Sequence, residues 1–443
     1  MRDRHSEPIR VPHPERTTNQ QRRLARDDTT EHVHVCNGAR RAAEGRAMRR
    51  GLVLAVAAVA ALALAACGSA GAAGSNGGST GTATGSEWVI GSIIDQTGSS
   101  SPTYAPTANT LKAWVSHVND NGGIDGHPLR LIIKDSASSP SAGLQAANEL
   151  VAQKVIAFVQ GGSSVASSFA KVIGAAGIPV ICGAPSAAPP YGVDKNFYPC
   201  VPGALAETNL LVKTAVEQDK RKIGVISCVE SAACTAATKA MEASAAKYGA
   251  TVLAQNVSFS SPNFAPACLS MKAAGVQALF PLGPPPVVKA IVEQCGQQDF
   301  KPTYIANSLA PFWLNNPNVS GFIGLSENFP YFADTPVATK YREVMQKYNP
   351  EALAVNQDTN GTIWATGLLF EAAAKAGKLG DNPTPADVVN GLNSLSNETL
   401  GGASGPLTFT NGNRSNTCGF VVGMDGTKFT TPFGTDPICD NAA

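Results

Sequence analysis

The stretch HVNDNGGIDGHPLRLIIKDSAS, residues 117–138, contains the end of a helix, a tight turn and the beginning of a strand. Its first residues fit the last turn of a helix, and Gly122 and Gly123 supply the left-handed backbone that terminates one. Asp125 and Gly126 are typical turn residues, and LRLIIKD then follows the pattern of a strand. The stretch therefore predicts a helix–turn–strand unit, which is the repeating element of an α/β protein.

The same unit recurs on both sides of this stretch. In the first half of the chain, strands are predicted over 88–94, 129–135, 155–161 and 178–182, and helices over 106–119, 142–153 and 165–175. The pattern begins again after Pro202, with strands over 221–228, 251–259, 276–283 and 302–308 and helices over 233–248, 264–274 and 287–297. This alternation predicts two α/β lobes, each with a parallel sheet and right-handed crossovers.

Two further helices and a hairpin follow the second set of strands. The helices are predicted over 339–348 and 362–376, and residues 419–430 are predicted to form a hairpin that turns at Asp425 and Gly426. Because these segments come after two lobes of similar design, we expect the chain to cross between the lobes more than once.

The segment before the first lobe has the pattern of an export signal. Arg49 and Arg50 precede an apolar run over 51–66, which is shorter than the roughly 20 residues that a membrane-spanning helix needs. The sequence LAAC at 64–67 resembles the lipobox of bacterial lipoproteins, in which the cysteine is acylated and becomes the first residue. We expect a lipoprotein signal peptide over 48–67 with a lipid anchor on Cys67. An ordinary signal peptide cleaved nearby is the alternative.

The regions on either side of this signal have compositions that cannot form a core. Residues 1–47 contain ten Arg, seven acids and four of the six His, so we expect a disordered extension. We also expect translation to start at Met48, which would leave this extension out of the protein in the cell. Residues 68–86 are rich in Gly, Ser and Ala and are expected to form a flexible linker.

The charge of the exported part excludes several function classes. Twelve of the 34 Lys and Arg and seven of the 33 Asp and Glu lie at or before Arg50, so the rest of the chain has a net charge of about −4. It contains no basic run that could follow phosphates, which excludes nucleic acid as a partner. Its only histidines are His117 and His127, so neither a zinc site nor a Ser-His-Asp triad is expected. We expect no cofactor and no metal.

Eight cysteines follow Cys67, an even number that in an exported chain is typical of disulfide bonds. Eight cysteines permit 105 connectivities, but neighbours in this sequence fall within single loops or adjacent elements. We predict the pairs Cys182–Cys200, Cys228–Cys234, Cys268–Cys295 and Cys418–Cys439. Free buried thiols at some of these positions are the alternative.

Several segments over 87–430 together resemble the leucine, isoleucine and valine family of extracytoplasmic solute-binding proteins. In chain order they are IGSIIDQTGS, the Gly-Gly-Ile-x-Gly element of 122–126, GGSS, AAGIPVI, NFAPACLSMKAAGVQALF and GPLTF with its hairpin. Their order and spacing carry the resemblance, since no single motif is diagnostic. The family has the type I periplasmic-binding fold, which consists of two doubly wound α/β lobes joined by a hinge.

This resemblance implies the domain organisation and a transport function. The first lobe would comprise 87–205 and 334–402, and the second 206–333 and 403–443. A small ligand would bind in the cleft between the lobes, and the closed monomer would deliver it to an ABC permease in the membrane. A sensor that reports ligand binding to a membrane signalling protein would use the same fold. An enzyme is the third class, but no nucleophile with its base can be identified.

The resemblance places ligand-binding residues in three loops. The loop Gly161–Gly162–Ser163–Ser164 follows a predicted strand and begins a helix, so Ser163 and Ser164 either cap that helix or bind a ligand oxygen. Ala184 and Ser186 match a family loop that supplies a carbonyl and a hydroxyl, although Pro185 removes one N–H there. Tyr104, in the first loop, is near the position of a ring over the ligand. Phe312 and Trp313 either line the second lobe or only pack.

The second lobe departs from the family pattern at two places. A tyrosine–glycine pair of the family is replaced by the segment from Cys228 to Cys234, and the acid that binds an amino-acid ammonium aligns with Ser308, beside Asn307. We therefore expect an uncharged or carboxylate-bearing solute to bind better than leucine, isoleucine or valine. Glu230 and Glu327 are the two acids that could restore amino-acid binding if they reach the cleft.

Overall fold

The computed structural model describes residues 83–182, 195–260, 262–307, 309–355, 357–410 and 416–440. The predicted lipid-anchor residue Cys67 and the predicted site residues Ala184, Ser186 and Ser308 lie outside these ranges. Within the described part, no helix has both the length and the apolar character needed to cross a membrane.

Strands and helices alternate along the first two thirds of the chain. In the first stretch they are β1 (Trp88–Ile94), α1 (Ser101–Asp120), β2 (Leu129–Asp135), α2 (Pro140–Ala152), β3 (Ala157–Val159), α3 (Ala166–Ala175), β4 (Val180–Ile181) and β5 (Phe197–Tyr198). In the second they are α4 (Ala204–Glu217), β6 (Lys222–Cys228), α5 (Ala232–Lys247), β7 (Thr251–Val257), α6 (Ala265–Ala273), β8 (Ala278–Pro281), α7 (Pro285–Gln297), β9 (Thr303–Ala306) and β10 (Gly321–Ser326).

Helices dominate the next stretch and short strands the last one. The remaining elements are α8 (Pro336–Tyr348), α9 (Gln357–Ala376), α10 (Pro385–Ser394), β11 (Cys418–Met424), β12 (Phe429–Thr430) and β13 (Ile438–Cys439). Pro336 and Pro385 each stand in the first turn of a helix, where a missing N–H costs nothing. Thr384 and Asp387 form a capping box that fixes the start of α10.

The first lobe contains a parallel sheet with the strand order β2-β1-β3-β4-β5. The second lobe contains a mixed sheet in the order β12-β11-β10-β9-β8-β6-β7, with β13 also paired to β11. Its strands from β6 to β10 are parallel, whereas β11 pairs antiparallel with β10, β12 and β13. The predicted fold class is confirmed, and so is the hairpin, whose turn contains Asp425 and Gly426.

The last three helices return to the first lobe. Thr110 in α1 donates a hydrogen bond to Asn360 in α9 at 2.8 Å, and the Trp114 indole donates to the Glu371 carboxylate, also at 2.8 Å. Gly367 lets the two helices approach closely, because a Cβ there would lie 2.5 Å from the Trp114 ring. These contacts agree with the expected assignment of 334–402 to the first lobe, while the lobe boundaries themselves stay a prediction.

Three segments connect the lobes and form a hinge. They follow β5, β10 and α10, and Asn328 in the second of them joins all three, because its amide donates to the carbonyls of Cys200 at 3.0 Å and Ala403 at 3.1 Å. The Ser404 hydroxyl also donates to the Cys200 carbonyl, at 3.0 Å. Asn328 is buried, so these bonds form where water does not compete.

The start of α1 differs from the prediction. The sequence predicts a helix from Pro106, a favourable first position, whereas the helix begins at Ser101 and contains Pro106 in its interior. Pro102 takes the first-turn position instead, and Pro106 removes only one hydrogen bond near the helix start. Tyr104, which was predicted to lie in a loop, is therefore held by a helix.

The described residues form four disulfide bonds, and these join the same pairs that the order of the cysteines suggests. One connects Cys182, directly after β4, to Cys200 at the hinge. The other three lie in the second lobe, where they connect the end of β6 to α5, α6 to α7, and β11 to β13.

Candidate functional site

A cavity of about 660 Å³ lies between the two lobes. The first lobe contributes the start of α1 and the start of α9, the second contributes the segment after β9, and the hinge contributes the segment after β10. The residues that line it are Thr103, Tyr104, Pro285, Asn307, Leu309, Ala310, Pro311, Phe312, Leu314, Glu327, Tyr331, Ala354, Asp358, Thr359, Thr362, Ile363 and Phe429. Its size suits a small organic molecule.

Most of the cavity wall is apolar or aromatic. Phe312 packs on Trp313 with ring centroids 4.6 Å apart, and Trp313 packs in turn on Tyr304 and Phe322. Phe312 therefore lines the cavity, while Trp313 is buried behind it. Of the two roles left open by the sequence, Phe312 has the lining role and Trp313 the packing role. A wall of this kind recognises the apolar body of a ligand.

Two carboxyl groups, Glu327 and Asp358, interrupt this apolar wall. Glu327 lies in the hinge segment and shares a hydrogen bond with Glu207 in the first turn of α4. Asp358 lies in the first turn of α9 and accepts a hydrogen bond from the Ser326 hydroxyl. We call Glu207, Glu327 and Asp358 the acid cluster. Its members come from the second lobe, the hinge and the first lobe, respectively.

Burial keeps the acid cluster partly protonated. It raises the pKa of Glu207 to about 7 and that of Asp358 to about 6. Burial and the neighbouring carboxylates raise the pKa of Glu327 well above its usual range. Glu327 therefore donates its proton to the Glu207 carboxylate. Helix N-termini favour negative charge, but for Glu207 and Asp358 the cost of burial is larger.

The predicted ligand-binding serines contact a carboxylate of the protein itself. Asp95, directly after β1, accepts hydrogen bonds from the Ser163 hydroxyl at 2.9 Å and from the Ser164 N–H at 2.9 Å. The hydroxyls of Ser164 and Ser136 donate to the same carboxylate. Burial alone would raise the pKa of Asp95, but these hydrogen bonds outweigh it and lower the pKa below its usual value.

Tyr104 connects this serine loop to the cavity. Its ring lies against Gly162, where a Cβ would be 2.4 Å from the Tyr104 Cδ1 atom. Gly162 also has a φ of +106°, which only glycine adopts readily. Burial, followed by the charges of Asp95 and Glu327, raises the pKa of the Tyr104 phenol, so Tyr104 stays neutral.

The structure brings some of the predicted site residues to the cavity and leaves others away from it. Tyr104, Asn307 and Glu327 line the cavity, whereas Ser163 and Ser164 are not among the lining residues. Glu230 does not line it either: its carboxylate accepts hydrogen bonds from the Ser258 hydroxyl and from nearby backbone N–H groups. The Ser258 hydrogen bond is the main cause that lowers the pKa of Glu230 to about 2.

Three candidate functional residues were not predicted from the sequence. Glu207 and Asp358 carry no local motif, Asp95 stands in the IGSIIDQTGS segment without being singled out, and each of the three has partners that are far away in the sequence. The one available signal was position: Glu207 and Asp358 stand at starts of helices, and Asp95 follows the first strand, where a parallel sheet collects its polar residues.

The described residues contain no group of three or more His, Cys, Asp or Glu side chains placed to hold a metal ion. The acid cluster is therefore not arranged as a metal site.

Comparisons with known proteins agree with this architecture. A family model described as periplasmic binding protein matches residues 87–428, more than half of the chain. A search of curated proteins finds no significant match.

Several solved structures are similar to this chain. A branched chain amino acid ABC transporter from Thermus thermophilus with bound valine is 16% identical, with a TM-score of 0.67 over 81% of this chain and 98% of that one. A fatty acid ABC transporter substrate-binding protein from Thermomonospora curvata is 16% identical, with a TM-score of 0.66 over 83% and 96%. An extracellular ligand-binding receptor from Verminephrobacter eiseniae is 19% identical, with a TM-score of 0.64 over 76% and 97%.

These identities are low, so the similar structures show the shared fold alone. The family model carries the assignment, because it spans both lobes and the hinge. The chain belongs to the periplasmic binding protein family.

Proposed function

We propose that this protein captures a small solute for an ABC importer and delivers it to a membrane permease. The observation that carries the proposal is the cavity between the lobes, which is lined by both lobes and by the hinge. Closure of the lobes around a solute would bury it and bring together surfaces of both lobes for the permease. Membership of the family implies an extracytoplasmic protein, and we propose a monomer anchored to the membrane by acylated Cys67.

The ligand class belongs to this proposal. The sequence favours a small polar or carboxylate-bearing solute, and of these two the contacts favour the polar one. The donors expected to bind a carboxylate, in Ser163 and Ser164, are used by Asp95. Binding of an amino acid is the second candidate, because Glu327 lines the cavity and could bind an ammonium group. We propose a binding role rather than a catalytic one, because the family model that matches this chain is one of binding proteins.

A thermal-shift screen tests solute binding. The full chain carrying Cys67→Ala, which cannot be acylated, is screened against amines, amino acids, amides, short carboxylates and aromatic acids. A solute at a hundredfold its Kd stabilises the protein by about 2.7 kcal/mol, which for a protein of this size raises the Tm by roughly 3–4 °C.

Two substitutions locate the binding site. Ala310→Trp fills the cavity and should abolish the thermal shift, whereas Ala273→Trp, at an exposed position in the same lobe, should preserve it. A shift that survives Ala310→Trp would place binding outside the cavity. The absence of any shift across the screen would contradict the proposed function.

A further inference from the structure

We propose that the cavity selects an organic cation, with the ammonium group of the solute at the acid cluster and its apolar body against the aromatic wall. This inference rests on the proposed function and names the chemical class of the solute. The proposed solute carries a positive charge, opposite to that of the carboxylate that the sequence suggests.

The first support is a buried acceptor that lacks a partner. Glu207 is 7% exposed, and its Oε1 atom has no hydrogen-bond partner among the described residues. Glu207 shares a hydrogen bond with Glu327, and Glu327 lines the cavity. The buried Tyr341 hydroxyl also lacks a partner among the described residues, and it lies close enough to Asp358 to interact electrostatically. An unpaired buried acceptor is costly. An ammonium group offers three donors, and from the cavity it would meet Glu327 and Asp358, the two members of the cluster that line it.

The second support is the charge of the cavity. Glu327 and Asp358 line it, and none of the described lining residues is Lys, Arg or His. The electrostatic neighbours that shift the pKa values of the cluster are other members of the same cluster. A buried carboxylate without a positive partner is destabilising, so a cationic solute would supply the missing charge.

The third support is the occupied serine loop. The resemblance places a carboxylate solute at the Ser163 hydroxyl and the Ser164 N–H, and both of these donate to Asp95. Asp95 is fully buried and receives four hydrogen bonds from side chains and backbone, so its displacement would be expensive. The protein thus carries its own anion at the loop where the resemblance places an anionic solute.

The cation is organic rather than a metal ion. No group of acids in the described part is arranged to hold a metal, and Phe312, Tyr331, Ile363 and Phe429 give the cavity an apolar and aromatic lining. Aromatic faces also attract ammonium groups. A primary amine with a branched apolar chain satisfies both parts of the cavity.

Binding of a cation should also release protons. The acid cluster is partly protonated near neutral pH, and a positive charge beside it lowers the pKa values of its members. Proton release can be measured on the unmodified site by calorimetry in two buffers that differ in ionisation enthalpy. This measurement therefore does not depend on whether a substituted protein folds.

Calorimetry with three matched probes tests the inference on the Cys67→Ala chain. The probes are 3-methylbutylamine, 4-methylpentanoate and leucine, which share a branched chain and differ in charge. We expect the amine to bind most tightly and to release protons. Glu327→Gln and Asp358→Asn should each weaken amine binding at least tenfold. Glu371→Gln changes a half-buried carboxyl on the same helix as Asp358 that accepts a hydrogen bond from Trp114. It is the matched control and should bind the amine as before.

The opposite results are equally clear. Tighter binding of 4-methylpentanoate or leucine than of the amine would overturn this inference and leave solute binding intact. Amine affinity that is unchanged in both Glu327→Gln and Asp358→Asn, or binding without proton release, would also overturn it. If none of the probes binds, the inference is wrong, and the proposed function falls only if the broader screen also finds no solute.

Discussion

Gly162 is the residue on which the serine loop and the cavity wall meet. Gly162→Ala should destabilise the protein by about 1–3 kcal/mol or more, because the new Cβ would both strain a φ of +106° and overlap the Tyr104 ring. Urea unfolding measures the change. Gly177→Ala is the control, since Gly177 has a φ of +68° and open space around its Cβ position. An equal loss in the two variants would mean that backbone strain alone matters and that the Tyr104 contact is unimportant.

Asp358 makes a separate prediction about pH. Burial raises the pKa of its carboxyl to about 6 from an ordinary value of 3.8, so between these pH values the folded state binds more protons than the unfolded state. The free energy of unfolding should therefore fall as pH rises through this range. The groups that face Asp358 are Glu207, Glu327, Tyr331 and Tyr341.

Asp358→Asn removes this cost. Asn still accepts the Ser326 hydrogen bond, so the variant should be more stable than the wild type at pH 8, by about 1–3 kcal/mol. The difference should be small at pH 4 and disappear at about pH 3 and below, where Asp358 is neutral in both the folded and the unfolded state. Denaturant unfolding at pH 4, 6 and 8 gives the comparison. A variant that is less stable at pH 8 would show that the Asp358 charge is already compensated.

At the scale of elements, one buried side chain, Asn328, is hydrogen-bonded to the other two hinge segments. Asn328→Ala removes the donors to the Cys200 and Ala403 carbonyls. Each carbonyl keeps a second donor, from Ser404 and from the Phe329 N–H. We therefore expect a loss of about 1–3 kcal/mol in the free energy of unfolding. Ser404→Ala, which removes one donor to the Cys200 carbonyl, should lower the free energy of unfolding by less. A larger loss in Ser404→Ala than in Asn328→Ala would show that Ser404 is the more important connection between the segments.

Strand and helix prediction succeeded where the local pattern and the tertiary environment agree. WVIGSII and LRLIIKD form β1 and β2 with the expected bounds, because β-branched runs between polar residues fit a buried parallel sheet. The strand GFIGLS was missed because two glycines weaken its pattern. α4 was missed because it falls at the hinge, where the pattern was expected to restart with a strand.

The candidate site was less predictable than the fold. Tyr104 was found through the family resemblance, and Asn307 because it stands beside Ser308, the position of the missing family acid. The acid cluster joins residues 207, 327 and 358, and the Asp95 contact joins residues 95 and 163, so neither leaves a local signal. The acid cluster depends on how the hinge segments bring the lobes together, whereas the Asp95 contact depends on the pairing of β1 with β3 in the first lobe.

For the whole molecule, the acid cluster connects the ionisation of the site to the position of the lobes. Glu207 lies in the second lobe and Asp358 in the first, and the charge of Asp358 raises the pKa of Glu207. Their carboxylates repel each other across the hinge. Protonation removes this repulsion, and an ammonium group in the cavity beside Glu327 and Asp358 would offset it.

We therefore expect the lobes to be closer at pH 5 than at pH 8. Small-angle X-ray scattering of the Cys67→Ala chain should give a smaller radius of gyration at pH 5, and adding 3-methylbutylamine at pH 8 should produce a change in the same direction. Glu207→Gln removes one of the two charges and should abolish most of the pH dependence, while Glu371→Gln should retain it. A radius of gyration that does not change with pH in the wild type would show that the hinge geometry is set by packing alone, and that the acid cluster acts only on the solute.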